Sequence, residues 1–221
     1  MMRLTLIAAV GLAFTAFGCK TNPNQRLAYF AGKALPQQSV RKPHWAQPVH
    51  MEGVPNMYQV TPLFYRGSQP SDDGWKTLKT LGVRTVVTVR WLHSGADLVQ
   101  RNSMRHEWIR MKAWEPTDDQ MVQFLKLLND PNRTPIFVQC YTGSDRAGLL
   151  TAVYRITMCG WSKEESIEEM LTGGYDFHEI LQDIYLRYLQ NMDPEKLRRQ
   201  AGLVGYIVDK PNGLKTAAVG K

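Results

Sequence analysis

Between residues 83 and 159 the chain alternates short β-branched runs with helical stretches, and this alternation restricts the folds open to it more than any other feature. Val83 to Arg90 ("VRTVVTVR") reads as a strand. A helical stretch near Ala96 to Met104 follows, then a strand around Trp108 to Lys112. Thr117 to Asn129 is amphipathic, with Met121, Phe124, Leu125 and Leu128 on one helical face. Pro135 to Gln139 is the next strand, and Ala147 to Cys159 is a nearly all-apolar helix stopped by Gly160. Before this stretch, Met57 to Val60 and Leu63 to Arg66 are strand candidates, and Ser71 or Asp72 caps a helix ending at Gly82. After it, Ser162-Lys163-Glu164-Glu165 has capping-box spacing, and helices near Asp176 to Gln190 and Pro194 to Ala201 precede a weakly patterned basic tail. The order implies an α/β fold, a compact, mainly parallel central sheet flanked by helices, with ligands at the carboxyl ends of the strands.

Cys140 lies at such an end, in "FVQCYTGSDRAGLL", between an apolar strand and a helix N-terminus. The backbone of Tyr141 to Arg146 can curl there so that its N–H groups point inward, forming an anion nest reinforced by the helix dipole. A cysteine at the floor of such a nest is expected to ionise below the free thiol value of about 8.5 and to act as a thiolate nucleophile. Gly143 permits the turn, and Arg146 supplies a planar fork able to hold two phosphoryl oxygens, which a lysine cannot match. The spacing Cys-x5-Arg is weak by itself and strong in this strand-to-helix setting.

The chain has 221 residues, 43% of them hydrophobic, which suits one globular domain with extensions. Its formal charge of +7 favours anionic partners. Nucleic acid is set aside, because the basic residues are scattered and no nucleic-acid-binding motif is present. At the N-terminus a short basic start precedes an apolar run from Leu4 to Phe17 and the sequence "AFGCK", so residues 1–18 read as a signal peptide, too short to span a bilayer comfortably. Gly18-Cys19 resembles the end of a bacterial lipobox, which makes Cys19 the expected lipidation site; Ala16-Phe17-Gly18 also suits an ordinary signal peptidase. Residues 19–56, rich in Pro, Gln and Asn, read as a linker or tether, residues 57–200 as the catalytic domain and 201–221 as a basic C-terminal tail. The expected location is the cell envelope, with an exported monomer anchored by lipid.

An oxidising compartment favours paired cysteines, yet Cys140 and Cys159 should not pair. A helix between them separates the two by about 20 Å, against about 5 to 6 Å for bridged Cα atoms. His44 and His50 have no nearby Cys or acid cluster and read as loop histidines, so no metal is expected.

Roughly residues 57 to 192 resemble the cysteine-dependent protein tyrosine phosphatase superfamily, in its compact bacterial dual-specificity-like branch, through "FYRGSQPSDDGWKTLKTLGVRTVVTVR", "MKAWEPTDDQMVQFLKLL", "VQCYTGSDRAG" and "GWSKEESIEEM". The resemblance implies Cys140 as nucleophile, Arg146 as phosphate clamp, and Tyr141, Thr142, Gly143, Ser144 and Asp145 as the substrate-binding cradle. It implies hydrolysis of a phosphomonoester on a protein, an inositol phosphate or a phosphoinositide, with no metal or organic cofactor. A general acid is expected from the loop before the helix that precedes the cysteine strand, with Asp118 as the candidate and Glu115 and Asp119 beside it. Helix capping is the competing role for these acids. Asp145 resembles the loops of members acting on inositol phosphates, or else orders the turn. The family's histidine before the cysteine is Gln139 here, and its Ser or Thr after the arginine is Ala147. Those departures keep open a slow or inactive phosphate-reading module tethered to the membrane.

Overall fold

The computed structural model describes residues 41–92 and 95–203, with the backbone alone of 206–208 and 215–217. The signal-peptide, Cys19 and most linker expectations lie outside the described residues. Six strands form one sheet: β1 (Gln47–Pro48), β2 (Tyr58–Thr61), β3 (Phe64–Gly67), β4 (Thr85–Thr88), β5 (Arg105–Trp108) and β6 (Ile136–Gln139). Their spatial order is β1-β2-β3-β6-β4-β5. The first three pair antiparallel, and β3, β6, β4 and β5 run parallel. The helices are α1 (Asp72–Thr80), α2 (Ala96–Arg101), α3 (Asp118–Asn129), α4 (Asp145–Met158), α5 (Lys163–Thr172), α6 (Gln182–Asn191) and α7 (Pro194–Gln200). A short antiparallel pair, β7 (Tyr206–Val208) with β8 (Lys215–Ala217), lies in the segment read as a basic tail.

The two faces of the sheet are filled from opposite sides because successive side chains alternate. Tyr65, Val86 and Phe137 join Trp75 and Leu78 of α1 and Val99 of α2 in one buried cluster. On the other face Phe64 meets Phe124 of α3 at 5.5 Å and Tyr154 of α4 at 5.3 Å, both edge to face. Helix α4 is buried at almost every position, which accounts for its weak amphipathic pattern. The Ser71, Thr117 and Ser162 caps form as their spacing predicts, the last two as complete capping boxes. None of the helices among the described residues is long and apolar enough to cross a membrane.

Three expectations are corrected. Residues 41–56 are not all linker: Trp45 and Ala46 are buried, β1 pairs with β2, and Val54 and Met57 enter the core. Their anchors are distant in sequence, so local composition did not reveal them. The Ala46 N–H donates to Glu169 Oε1 at 2.6 Å, and Arg41 donates to Gly173 O. Strand β5 covers Arg105–Trp108 rather than Trp108 to Lys112; it is an edge strand that pairs only with β4, and its sequence "RHEW" lacks a β-branched residue. The helix expected from Asp176 starts as a 3-10 turn at Glu179–Leu181, because Asp176 has φ +58° and His178 is bonded through its backbone to Asp145.

Arg155 of α4 and Glu169 of α5 form a two-pronged ion pair at 2.8 and 3.0 Å with side chains only 4% and 2% exposed. The same carboxylate accepts from Ala46 and from the Tyr175 hydroxyl at 3.1 Å, so four segments meet on it. Removing one charge leaves the other buried and unpaired, which costs about 3–5 kcal/mol. Glu169→Gln should therefore lower the unfolding free energy by about that amount in urea titration, and a loss below about 1 kcal/mol would exclude the pair as a structural keystone.

Candidate active site

Strand β6 runs Ile-Phe-Val-Gln, buried at every position, and its register sets Gln139 between Gly67 of β3 and Thr88 of β4. The next residue, Cys140, is fully buried and leaves the sheet at its carboxyl edge, where the residues after β3 and β4 also emerge. Ser144 caps α4 without a side-chain bond, so the helix N-terminus is open toward the loop.

The loop between Cys140 and α4 is held from outside. Tyr141 O accepts from Gln69 N at 3.4 Å, and Thr142 O accepts from the Ser68 hydroxyl at 2.6 Å and the Asn56 amide at 2.9 Å. Gly143 O and Ser144 O both accept from Arg66 Nη2, at 2.7 and 2.9 Å. In a planar trans peptide the carbonyl and the following N–H point in opposite directions. Turning consecutive carbonyls outward therefore turns the following N–H groups inward. Gly143 N–H shows this directly, donating to Cys140 Sγ at 3.2 Å. Gly143 itself has φ +75°, and a Cβ there would lie 2.4 Å from Gly67 C and 2.5 Å from Ser68 N. Conformation and close approach both demand glycine.

Arg146, on the first turn of α4, donates from Nη1 to Met111 O at 3.4 Å, and its Nε is buried without a protein partner among the described residues. Asp145 accepts the His178 N–H at 2.9 Å and meets its ring Nδ1 at 2.9 and 3.0 Å, which favours the turn-ordering role for this carboxylate. Tyr141 is exposed under the Arg90 guanidinium, 5.5 Å from ring centroid to charge. Thr142 Oγ1 accepts from Ser144 N at 3.4 Å. Gln139 donates to Thr88 Oγ1 at 2.9 Å, and Ala147 is fully buried. Cys159 caps the far end of α4, and both cysteines are free. Burial pushes the Cys159 thiol above its ordinary pKa.

The acids at the start of α3 and just before it stand apart from this loop. Asp118 accepts from the Tyr188 hydroxyl at 3.0 Å and pairs with Lys196 at 2.8 Å, joining α3 to α6 and α7. Glu115 pairs with Lys112 at 2.8 Å, and Asp119 is exposed. No hydrogen bond or ion pair joins Glu115, Asp118 or Asp119 to residues 140–146. Asp118 is thus engaged as a link between helices, and the general-acid role expected from sequence has no contact with the loop to support it.

Several residues at the site escaped sequence reading. Asn56 fell within the apparent linker, although it adopts φ +50°, a conformation that asparagine tolerates. Arg66, Ser68 and Gln69 lie in "YRGSQP", a stretch whose only sequence signal was its resemblance to the superfamily. Tyr185 of α6 is fully buried, its hydroxyl lacks a partner among the described residues, and burial raises its pKa within electrostatic reach of Asp145, Arg146 and Cys140.

A loop of this build has relatives. A family model described as "DSP-PTPase phosphatase fused to NAD+ Kinase" matches residues 43–188. The chain is 31% identical over 159 residues to the dual specificity protein phosphatase TpbA of Pseudomonas aeruginosa, covering 72% of this chain and 71% of that protein. A crystal structure of P. aeruginosa TpbA superposes with a TM-score of 0.65 at 29% identity, over 74% of this chain and 99% of the other. A variant of that protein in complex with pTyr superposes with a TM-score of 0.65 at 28% identity, with the same coverage. The matched region begins just before β1 and takes in the whole of the loop from Cys140 to Arg146; the chain belongs to the dual-specificity and tyrosine phosphatase family and is a bacterial phosphatase of the dual-specificity type.

Proposed function

We propose that the chain removes phosphoryl groups from phosphotyrosine, and from phosphoserine or phosphothreonine, in proteins of the cell envelope, through a phosphocysteine at Cys140. The observation that carries this reading is the outward anchoring of the loop carbonyls, with the Gly143 N–H on Cys140 Sγ. A phosphate entering the cradle meets inward N–H groups, the N-terminus of the 14-residue helix α4 and the Arg146 guanidinium. The Cys140 thiolate attacks phosphorus in line, the P–O bond to the leaving oxygen breaks, and its electron pair leaves with that oxygen, which takes a proton from solvent. Arg146 and the loop N–H groups stabilise the charge spread over the equatorial oxygens. Water then attacks phosphorus, the P–S bond breaks with its electron pair going to sulfur, the thiolate is restored, and the water's proton leaves with the phosphate or to solvent.

The preference for an aryl phosphate draws support from the pTyr complex of the TpbA variant. It also suits the aromatic rim at this end of the sheet. Arg110 lies 4.7 Å from the Trp91 ring centroid and 5.0 Å from that of Trp108, and Tyr141 is 67% exposed. Such surfaces favour an aromatic phosphoester and its flanking peptide. Steady turnover is the favoured reading over a phosphate-reading module. Buried Ala147 offers no hydroxyl to the leaving thiolate, so release of the phosphocysteine is the slow step. The start of the chain completes the proposal: residues 1–18 export the protein, Cys19 carries a lipid anchor, and the mature form works as a monomer.

Cys140→Ser should abolish hydrolysis of p-nitrophenyl phosphate while leaving the melting temperature within a few degrees, since a serine hydroxyl does not ionise in the cradle; retained turnover overturns the mechanism. Asp118→Asn should lower stability by about 1 kcal/mol and leave hydrolysis of aryl and alkyl phosphates within about twofold of wild type. A large loss confined to the alkyl phosphate would instead establish Asp118 as proton donor. Cys19→Ser should move the protein from the membrane fraction to the soluble fraction. A wild-type protein whose mature N-terminus carries no lipid by mass spectrometry removes the anchor from the proposal.

A further inference from the structure

Arg66 is fully buried at the end of β3, directly behind the phosphate loop. One nitrogen, Nη2, holds the carbonyls of Gly143 and Ser144, while Nε and Nη1 are buried without a partner among the described residues. The guanidinium stacks on the Tyr175 ring at 4.2 Å and approaches Gly148 so closely that a Cβ there would lie 3.4 Å from Nη2. The charged and titratable groups around it are Tyr175, Glu169, Cys140 and Tyr58, and burial pulls its pKa below the ordinary value against their opposing influence. No carboxylate is bonded to Arg66 among the described residues. Glu169, the one acid in reach, is already shared by Arg155, Ala46 and Tyr175.

An uncompensated buried cation costs several kcal/mol. Two carbonyls and a ring face offset part of that cost, and Cys140 is among the groups within electrostatic reach that can carry a negative charge. We propose that Arg66 is a positioning residue for catalysis: its buried charge is the counter-charge to the Cys140 thiolate, and its Nη2 fixes the two carbonyls whose outward direction aims the following N–H groups at the phosphate. Arg146 and Arg66 then divide the work. Arg146 stands at the ligand side of the loop, and Arg66 lies behind it and never touches substrate.

This inference rests on Cys140 as the nucleophile, so its test follows the thiolate without requiring turnover. In the full chain, alkylation of Cys140 by iodoacetamide is followed by peptide mass mapping from about pH 5 to about pH 9, where thiolate and not thiol reacts. Arg66→Gln should lower the ratio of the rate near pH 6 to the rate near pH 9, by up to about tenfold for a one-unit rise in the titration midpoint. Arg66→Lys should keep that ratio within about threefold, because the charge stays, and lose at least tenfold in kcat, because an ammonium cannot reproduce the planar fork. A merely structural role would lower the melting temperature and leave the ratio unmoved. A folded Arg66→Gln protein with the wild-type ratio overturns the inference while leaving Cys140 as nucleophile; full turnover in Cys140→Ser overturns that reading instead. Should Arg66→Gln fail to fold, Arg66→Lys decides alone: a kept ratio with lost turnover supports the inference, and full turnover or a collapsed ratio overturns it.

Discussion

The site depends on which way four carbonyls point. A loop following a strand has no intrinsic reason to turn its N–H groups toward one centre, since its carbonyls would then face a neighbouring wall. Here the wall is built to receive them. Gln69 N, the Ser68 hydroxyl, the Asn56 amide and Arg66 Nη2 accommodate the carbonyls from Tyr141 to Ser144. The anion cradle expected here is thus the inner surface of a shell whose outer surface is a hydrogen-bonded seam with Asn56, with Arg66 of β3 and with the segment after β3. Gly143 is the point where the two backbones come too close for any side chain.

Sheet topology makes that seam possible. Strand β6 lies between β3 and β4, so the chain leaving β6 is flanked by the segments leaving both neighbours. The β3 side supplies the carbonyl anchors. On the β4 side, Val89 N donates to Gln139 O at 2.9 Å, and Gln139 binds Thr88. Beneath the loop, α4 is buried along nearly its whole length, so the cradle is fixed to the rigid centre of the protein. Preorganisation of this kind allows N–H groups to stabilise transition-state charge without reorganising during the reaction.

What the sequence made legible follows from range. The α/β class, the parallel strands around β6, the capped starts of α1, α3 and α5, and the loop from Cys140 to Arg146 are written in spacings of a few residues, where periodicity and turn chemistry act. Strand β5 was displaced because an edge strand needs little β-propensity once β4 pairs with it. Asp118 was expected as proton donor from its place at the start of α3, and its partners, Tyr188 and Lys196, lie 70 and 78 residues further on. Arg66 and Asn56 were silent for the same reason. Their hydrogen bonds to the loop span 77 and 86 residues, and no local pattern encodes them.

The N-terminal segment carries a further consequence. Arg41 lies 4.7 Å from the centroid of the Tyr58 ring and 5.1 Å from that of Tyr175, Tyr175 stacks on Arg66, and Asn56 donates to Tyr175 O at 3.1 Å as well as to the loop. Residues that resemble a tether by composition thus form the back of the charge arrangement behind Cys140. A fragment beginning at residue 57 would hold every parallel strand and the whole loop from Cys140 to Arg146, yet it would lack the Asn56 amide that holds Thr142 O. It would also leave one Glu169 oxygen without its Ala46 donor. Hydrogen bonds rather than composition therefore tie residues 41–56 to the loop, to Glu169 and to Gly173.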